Sequence, residues 1–510
     1  MSAERADAVV VGGGPNGLAA AATLARAGRD VVLLEAAGTL GGAVRTEELT
    51  LPGFRHDVFS SVYPAGIASP VFEELEIERH GVRWIHPPVA MVHPLDGGTG
   101  GALYGDVDAT AATLDELSPG DGAAWKTLVR PFLDAFPAVR QTFLSGFPPV
   151  AGPARLALAW RLHGMLDFAR LTVSSARTVG ERMFAHPGSR AWLYSSAMHG
   201  DVPPDGAGSA IAGIYLQVLG HAVGWPSPEG GAGAITDALT RALEEAGGRW
   251  HAGTPVTRVL TRNGRAAGVE TAGGDLVEAP IVLCDLTPSG LLALAGQALP
   301  DLYVRRLVHF RHGPGTFKVD WALDGPVPWE NEHARRAGTV HVAGDAEGLI
   351  TALRQAMSGE LPEKPFLLFG QQSLADPSRA PAGKHTAWAY THTPRDLGWD
   401  ERRDMFLGRV EAQVERFAPG FRDLILARHV MVPGDLADRD ANLVGGDVGA
   451  GSYDLDQLLF RPVPKLSPYR TPLRGLYLGS AATFPGGAVH GVPGRAAARA
   501  ALLDSRLRQV

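Results

Sequence analysis

The sequence predicts an α/β protein built around a Rossmann-type nucleotide domain. Three observations predict it: a strand–turn–helix–strand unit between Ala8 and Glu35, a buried strand returning at Pro280–Asp285, and a glycine-rich strand–loop–helix from Gly475 onward. The chain has 510 residues, 45% of them hydrophobic, enough for several domain-sized cores. Gly 64 and Pro 38 imply many turns and loop-built sites, while the apolar fraction argues against a disordered chain. Lys+Arg 47 against Asp+Glu 54 gives −7 with no basic block, which argues against a nucleic-acid partner. Cys284 is the only cysteine; it excludes a disulfide framework, a thiolate zinc site and a redox-active dithiol, and suggests a reducing compartment. No apolar run reaches the roughly 18–20 residues of a membrane span, because Leu156 to Trp160 is flanked by Arg155 and Arg161. The polar start, Met1 to Asp7, runs straight into a strand, so no signal peptide is expected. The expected location is cytoplasmic, with attachment to the inner face of a membrane left open.

Ala8-Val-Val-Val11 is short and β-branched, the pattern of a strand buried on both faces. Gly12-Gly-Gly-Pro-Asn-Gly17 follows, then an alanine-rich helix former stopped by Gly28, and then the strand Asp30-Val-Val-Leu-Leu-Glu35. In this context Gly12 permits the tight turn, Gly14 lets backbone approach a pyrophosphate, and Gly17 lets helix pack on strand. The helix start at Pro15 and Asn16 offers free N–H groups and positive dipole to phosphate. Glu35 can accept both ribose hydroxyls and repels a 2′-phosphate, so FAD or NAD is expected rather than NADP. The pair Gly41–Gly42, six residues further on, lets the loop fold back beside the pyrophosphate of a long dinucleotide. That favours FAD.

Read with Leu51-Pro-Gly-Phe-Arg-His-Asp-Val-Phe-Ser-Ser-Val-Tyr63, these motifs resemble the phytoene desaturase and amine oxidase superfamily of flavoproteins, closest to its phytoene dehydrogenase-like branch. Gly475-Leu-Tyr-Leu-Gly-Ser480, Pro485-Gly-Gly-Ala-Val-His-Gly-Val-Pro-Gly494 and the helix after it carry the resemblance at the far end. The middle pieces are Gly315 to Leu323, Gly370 to Pro377, Trp388 to His392 and Gly451 to Leu458. The resemblance implies a Rossmann-type FAD-binding domain, discontinuous in the chain, with a second α+β substrate domain inserted. Its implied segments are 1–90, 221–300 and 431–510 for the FAD-binding domain, with 91–220 (mostly helical) and 301–430 (sheet plus helices) for the substrate domain. It implies cofactor contacts from Gly12, Gly14, Pro15, Asn16, Gly17, Glu35, Ala36, Gly41, Gly42 and Ala43. At the far end it implies them from Gly479, Ser480, Pro485, Gly486, Gly487, His490, Gly491 and Val492, where a helix N-terminus faces the flavin edge that gains negative charge on reduction. Val256 matches a residue lying against adenine, or is an ordinary core valine. Ala37 and Ala43 stand where the family often carries basic residues, leaving phosphate charge to backbone amides and Arg45, unless Arg45 is a solvated surface side chain.

Val256–Leu260 and Ala266–Thr271 flank Asn263–Gly264, a hairpin signal. Ile211–Leu219 is apolar enough to line a cleft or to be a core helix. Gly230-Gly-Ala-Gly and Gly449-Ala-Gly lack the context of a second dinucleotide fingerprint, which argues against direct reduction by a nicotinamide. No nucleophile elbow or metalloprotease helix motif appears, and His385 and His392 lack metal-ligand spacing, so no metal is expected. His490 is the one candidate catalytic residue, as a cofactor hydrogen-bond partner or acid/base, or else a structural loop histidine. Lys318 and Asp320 share one strand face, toward either cleft or solvent; Asp454 and Asp456 share that ambiguity. The expected activity is FAD-dependent oxidation of an apolar or amphipathic small molecule, by desaturating a C–C bond or oxidising a neighbouring C–H. A hydride goes to flavin N5 and electrons pass to oxygen or a quinone. Two alternatives are a saturase or isomerase using reduced FAD, and a flavin-fold binding protein acting through partners.

Overall fold

Ala8–Val11, Val31–Leu34, Ile281–Cys284 and Leu476–Leu478 are aliphatic runs buried along their whole length. Such strands are stable only inside a covered parallel sheet. In the computed structural model, which describes residues 3–507, they form one, in the order Arg249–His251, Val31–Leu34, Ala8–Val11, Ile281–Cys284, Leu476–Leu478. The fold is α/β, and this Rossmann-type sheet recruits strands from the beginning, middle and end of the chain. On one face lie the helices Pro15–Arg26, Gly233–Glu245 and Val492–Arg506, whose alanines permit close approach. Against the other lies a four-stranded sheet of Ala3–Arg5, Leu276–Glu278, Arg265–Thr271 and Val256–Arg262. Its hairpin turns at Asn263 (φ 53°) and Gly264 (φ 69°), both left-handed as a tight two-residue turn requires.

A seven-stranded mixed sheet forms the second unit, in the order Ile425–Met431, Gly315–Leu323, His385–Thr393, Leu367–Gly370, Ala337–Val342, Val89–Pro94, Gly100–Leu103. Strands therefore also come from the stretch around residues 89–103, just where helix was expected to begin. Period-two alternation sorts the strand Gly315–Leu323: Phe317, Val319 and Trp321 pack against Phe406, Val410 and Val414 of the helix Arg403–Phe417. The other face meets a helical cap that includes Asp121–Asp134, Pro187–Ala197 and Ser209–Ala222. Ile211, Ile214 and Val218 are buried in that cap core, so their helix is mainly a packing element.

Candidate functional site

At the C-terminal edge of the parallel sheet the glycines are forced by backbone proximity. A Cβ on Gly17 would stand 2.0 Å from the Gly12 carbonyl oxygen, and one on Gly494 would stand 1.9 Å from that of Asn16. The second contact brings the start of the C-terminal helix onto the start of the first, so the two ends of the chain meet. The Gly41–Gly42 loop folds back as well: Gly41 N–H donates to the Gly13 carbonyl at 2.9 Å, and a Cβ on Gly42 would stand 3.1 Å from Gly14 Cα. Glu35 is oriented by Gly13 N–H (2.6 Å to Oε2) and Ala37 N–H (2.8 Å to Oε1), which leaves each oxygen a lone pair for a hydroxyl. Backbone bared by glycine at two helix starts whose N-cap residues, Gly14 and Gly491, supply no side-chain cap fits a dinucleotide with a pyrophosphate.

Asp285, expected only as the end of the returning strand, sits inside this cradle. Its Oδ2 accepts from Gly17 N–H at 2.7 Å and would stand 2.9 Å from a Cβ on Gly14. Burial pushes its carboxyl up to about 8, against the Gly17 hydrogen bond and with help from Asp440 and Glu35. Asp440, also raised by burial, lies beside Gly42. Nothing in the local sequence marks these aspartates as special; only the parallel register, pairing Cys284 with Val11, carries Asp285 to the glycine turn.

Arg45 is half-buried rather than a solvated surface side chain. It lies over the Phe59 ring (5.4 Å), donates from Nη2 to the Arg439 carbonyl and has an unpartnered buried Nε. Val256 opens its hairpin strand opposite Thr271, next to Thr254, whose N–H donates to the Glu35 carbonyl. Ala36 and Ala43 lie on the loop between Glu35 and Arg45, and Ala43 O accepts from Ser60 Oγ. Gly479 N–H donates to the Cys284 carbonyl, and Ser480 braces the loop toward Thr483. Pro485, Gly486 and Gly487 follow, with Gly487 N–H donating to Tyr453 Oη at 2.9 Å. His490 is buried; its Nδ1 accepts from Val492 N–H, and burial lowers its pKa to about 4. A neutral ring bracing the turn before Gly491 and the C-terminal helix is a structural use of that histidine.

On the substrate-domain side, Thr316, Lys318 and Asp320 share a face with His392, Tyr390 and Trp388 by direct register. That face turns inward. Lys318 donates to both oxygens of Asp320 (2.5 and 2.6 Å) and to the Asp57 carbonyl (3.0 Å), so it spans the two domains. Burial raises Asp320 to about 6 against the pull of Lys318, and burial followed by Lys318 lowers the neighbouring His56 to about 3. Trp388 and Tyr390 stay half-exposed in a central strand and stack at 6.2 Å, an apolar wall in the molecule's interior. His392 bonds Asp201 at 2.7 Å, whereas His385 bonds Ser373 elsewhere. Asp454 and Asp456 face outward, pairing with Arg311.

The chain as a whole resembles known proteins. A family model described as flavin-containing amine oxidoreductase matches residues 16–502. A rat protein named pyridine nucleotide-disulfide oxidoreductase domain-containing protein 2 is 30% identical over 98% of this chain and 93% of its own. A zeta-carotene-forming phytoene desaturase of Myxococcus xanthus is 27% identical over 94% of this chain and 90% of its own. Among solved structures, a putrescine oxidase variant shares the fold with a TM-score of 0.65 at 16% identity, covering 99% of this chain and 100% of its own.

Proposed function

The chain belongs to the flavin-containing amine oxidoreductase family, an FAD-dependent oxidoreductase class, and from that premise we propose that it oxidises an apolar or amphipathic small molecule in the cleft between its two domains. The observation that carries this reading is the inward face of Trp388 and Tyr390, apolar and still accessible, on the strand that packs toward the flavin domain. FAD, when bound, supplies the acceptor for a hydride from a substrate C–H bond. The second hydrogen would leave as a proton and the product would gain a double bond, with oxygen or a quinone as the final acceptor of the electron pair. The chain's own residues bind and orient: Gly12, Gly14, Gly17 and Glu35 hold the nucleotide end, and the Gly486–Val492 turn holds the flavin end. Lys318, Asp320 and His56 form a buried group of ionisable side chains at the domain junction.

A lipid surface as the source of substrate is supported by the helix Ala151–Val173. It exposes Leu158 (84%), Leu162 (71%) and Leu166 (59%) beside Arg155, Arg161 and Arg170. No helix among the described residues is long and apolar enough to cross a membrane; this segment, broken at Arg161, offers its exposed leucines and arginines as a surface contact. The test is the visible spectrum of the purified protein, followed by anaerobic addition of polyenes, amines and lipidic alcohols. Bleaching of the flavin by one class identifies substrate. Turnover only after prior reduction favours the isomerase or saturase alternative instead.

A further inference from the structure

His199 lies in the turn Met198–Gly200 at the end of the cap helix Pro187–Ala197, and its Nε2 stands 3.1 Å from Nε2 of His341. His341 Nδ1 stands 2.9 Å from Ser195 Oγ, which donates to the Trp192 carbonyl at 2.9 Å. Only one placement of protons makes all three contacts hydrogen bonds. Ser195 spends its proton on Trp192, so it accepts from His341 Nδ1–H. His341 Nε2 is then bare and accepts from His199 Nε2–H. That leaves a lone pair on His199 Nδ1, which has no hydrogen-bond partner among the described residues and, unlike Nδ1 of His93, is not sealed from solvent. Burial, followed by nearby His392, lowers the His199 pKa to about 3, so the ring stays neutral and keeps that lone pair.

His199 is part-accessible although it lies deep in the molecule, so it borders an internal cavity rather than the outer surface. Tyr215, Tyr390 and Tyr453 share this combination: burial pushes each phenol up, yet each residue stays part-accessible. Sheet register ties His199 to them. His341 pairs with Leu368 and Leu368 with Tyr390, so His341 and Tyr390 share one face, two strands or about 10 Å apart. A Cβ on Gly370 would stand 2.3 Å from Trp388 Cε2, so the indole leans across the intervening strand toward that of His341. Tyr390 stacks on the indole with the rings 5° from parallel. Trp225 meets the His199 ring at 5.6 Å and near a right angle, fixing its plane, and spends its own N–H on the Leu216 carbonyl. At the flavin end, Tyr453 Oη accepts from Gly487 N–H.

We infer that His199 Nδ1 is the polar anchor of the substrate cavity, accepting a hydrogen bond from the hydroxyl of an otherwise apolar alcohol whose body lies along Trp388 and Tyr390. The inference rests on the oxidoreductase reading above and narrows its substrate class. A bare acceptor ranks a hydroxyl above a ketone of the same length, whose oxygen would only set lone pair against lone pair. An ammonium finds no counter-charge here, because the carboxylates against this face are committed, Asp320 to Lys318 and Asp201 to His392.

Isothermal titration calorimetry of the FAD-loaded protein with decanol, methyl octyl ketone and decylamine tests this. Decanol is expected to bind roughly tenfold or more tightly than the ketone. His199→Phe should erase that preference. Ser195→Ala frees the His341 tautomer without touching substrate, so it should shrink the preference while leaving ketone affinity and FAD content unchanged. Equal or tighter binding of the ketone by the unaltered protein overturns the assignment, even if the variants do not fold. A preference left intact in His199→Phe also overturns it, as does decylamine binding more tightly than decanol. Failure of the underlying reading looks different: decanol is preferred, but neither it nor any other compound bleaches the flavin.

Discussion

Asp285 places a carboxyl group where the glycine turn is shaped for a pyrophosphate, and its proton decides whether the two can coexist. With a folded-state value of about 8, raised above the usual carboxylate range by burial, Asp285 is neutral at pH 7. Between its unfolded value, about 3.9, and the folded one, the unfolded chain is ionised while the folded chain keeps the proton. Stability from this group is therefore greatest at low pH and is lost as pH rises through about 8. FAD affinity should follow the same direction, weakening above pH 8 by up to about 1.4 kcal/mol per unit as charge develops beside phosphate. Fluorescence titration of FAD release from pH 6 to 9 checks this, with Asp285→Asn expected to give a flat profile. An unchanged profile in that variant would assign the titration to Asp440 instead. Gly494→Ala is the steric counterpart. Its methyl would collide with the Asn16 carbonyl, a backbone atom that cannot swing away. We expect a loss of about 3 kcal/mol or more in urea unfolding, together with loss of bound FAD.

Among the elements, the helix Ala151–Val173 departs most from a globular protein's economy of surface. Its leucines at 158, 162 and 166 make no use of the core, and its helical geometry breaks at Arg161 (φ 55°). Replacing all three with Gln should leave thermal stability nearly unchanged, because exposed sites away from caps and networks usually shift it by less than about 0.5 kcal/mol each. Co-sedimentation with anionic phospholipid vesicles should fall roughly tenfold or more, and binding by the unaltered protein should weaken with added salt. Retained vesicle binding in the triple variant would remove the helix from the interface. Local elements of this sort are legible in sequence to differing degrees. The first strand–turn–helix was readable because each glycine answers a backbone demand within a few residues. The Asn263–Gly264 hairpin was readable for the same reason. The strands near residues 89–103 were not, since their hairpin joins the sheet through pairing of Val89–Pro94 with Ala337–Val342, far along the chain.

At the scale of the whole molecule, the chain's ends could be expected to meet because both carry glycine loops before helices, but the joints between domains were invisible. Residues such as Asp57, Asp376 and Arg379 look like surface charges in sequence, and only burial makes them decisive. Arg379 shows why. It is buried at a domain junction, bonding Asp57 through both terminal nitrogens at 3.1 Å and Asp376 through Nε at 2.9 Å. Asp57 also accepts from Thr46 Oγ1 and Ala232 N–H, and Asp376 from Gly230 N–H, so one guanidinium ties the substrate domain to two separate segments of the flavin domain. Net stability from such a buried network is modest, but removing one partner strands carboxylates without counter-charge. Arg379→Ala is therefore expected to cost about 3–5 kcal/mol in urea unfolding. Arg379→Lys should rescue little, because an ammonium cannot reproduce the forked geometry toward two carboxylates. FAD should be retained less tightly in both variants, since the Asp57 loop also carries the carbonyl that holds Lys318. A cost below about 1 kcal/mol, within the range of exposed pairs, would mean that the two domains are held together by their apolar contacts and that the charged joint only sets their register.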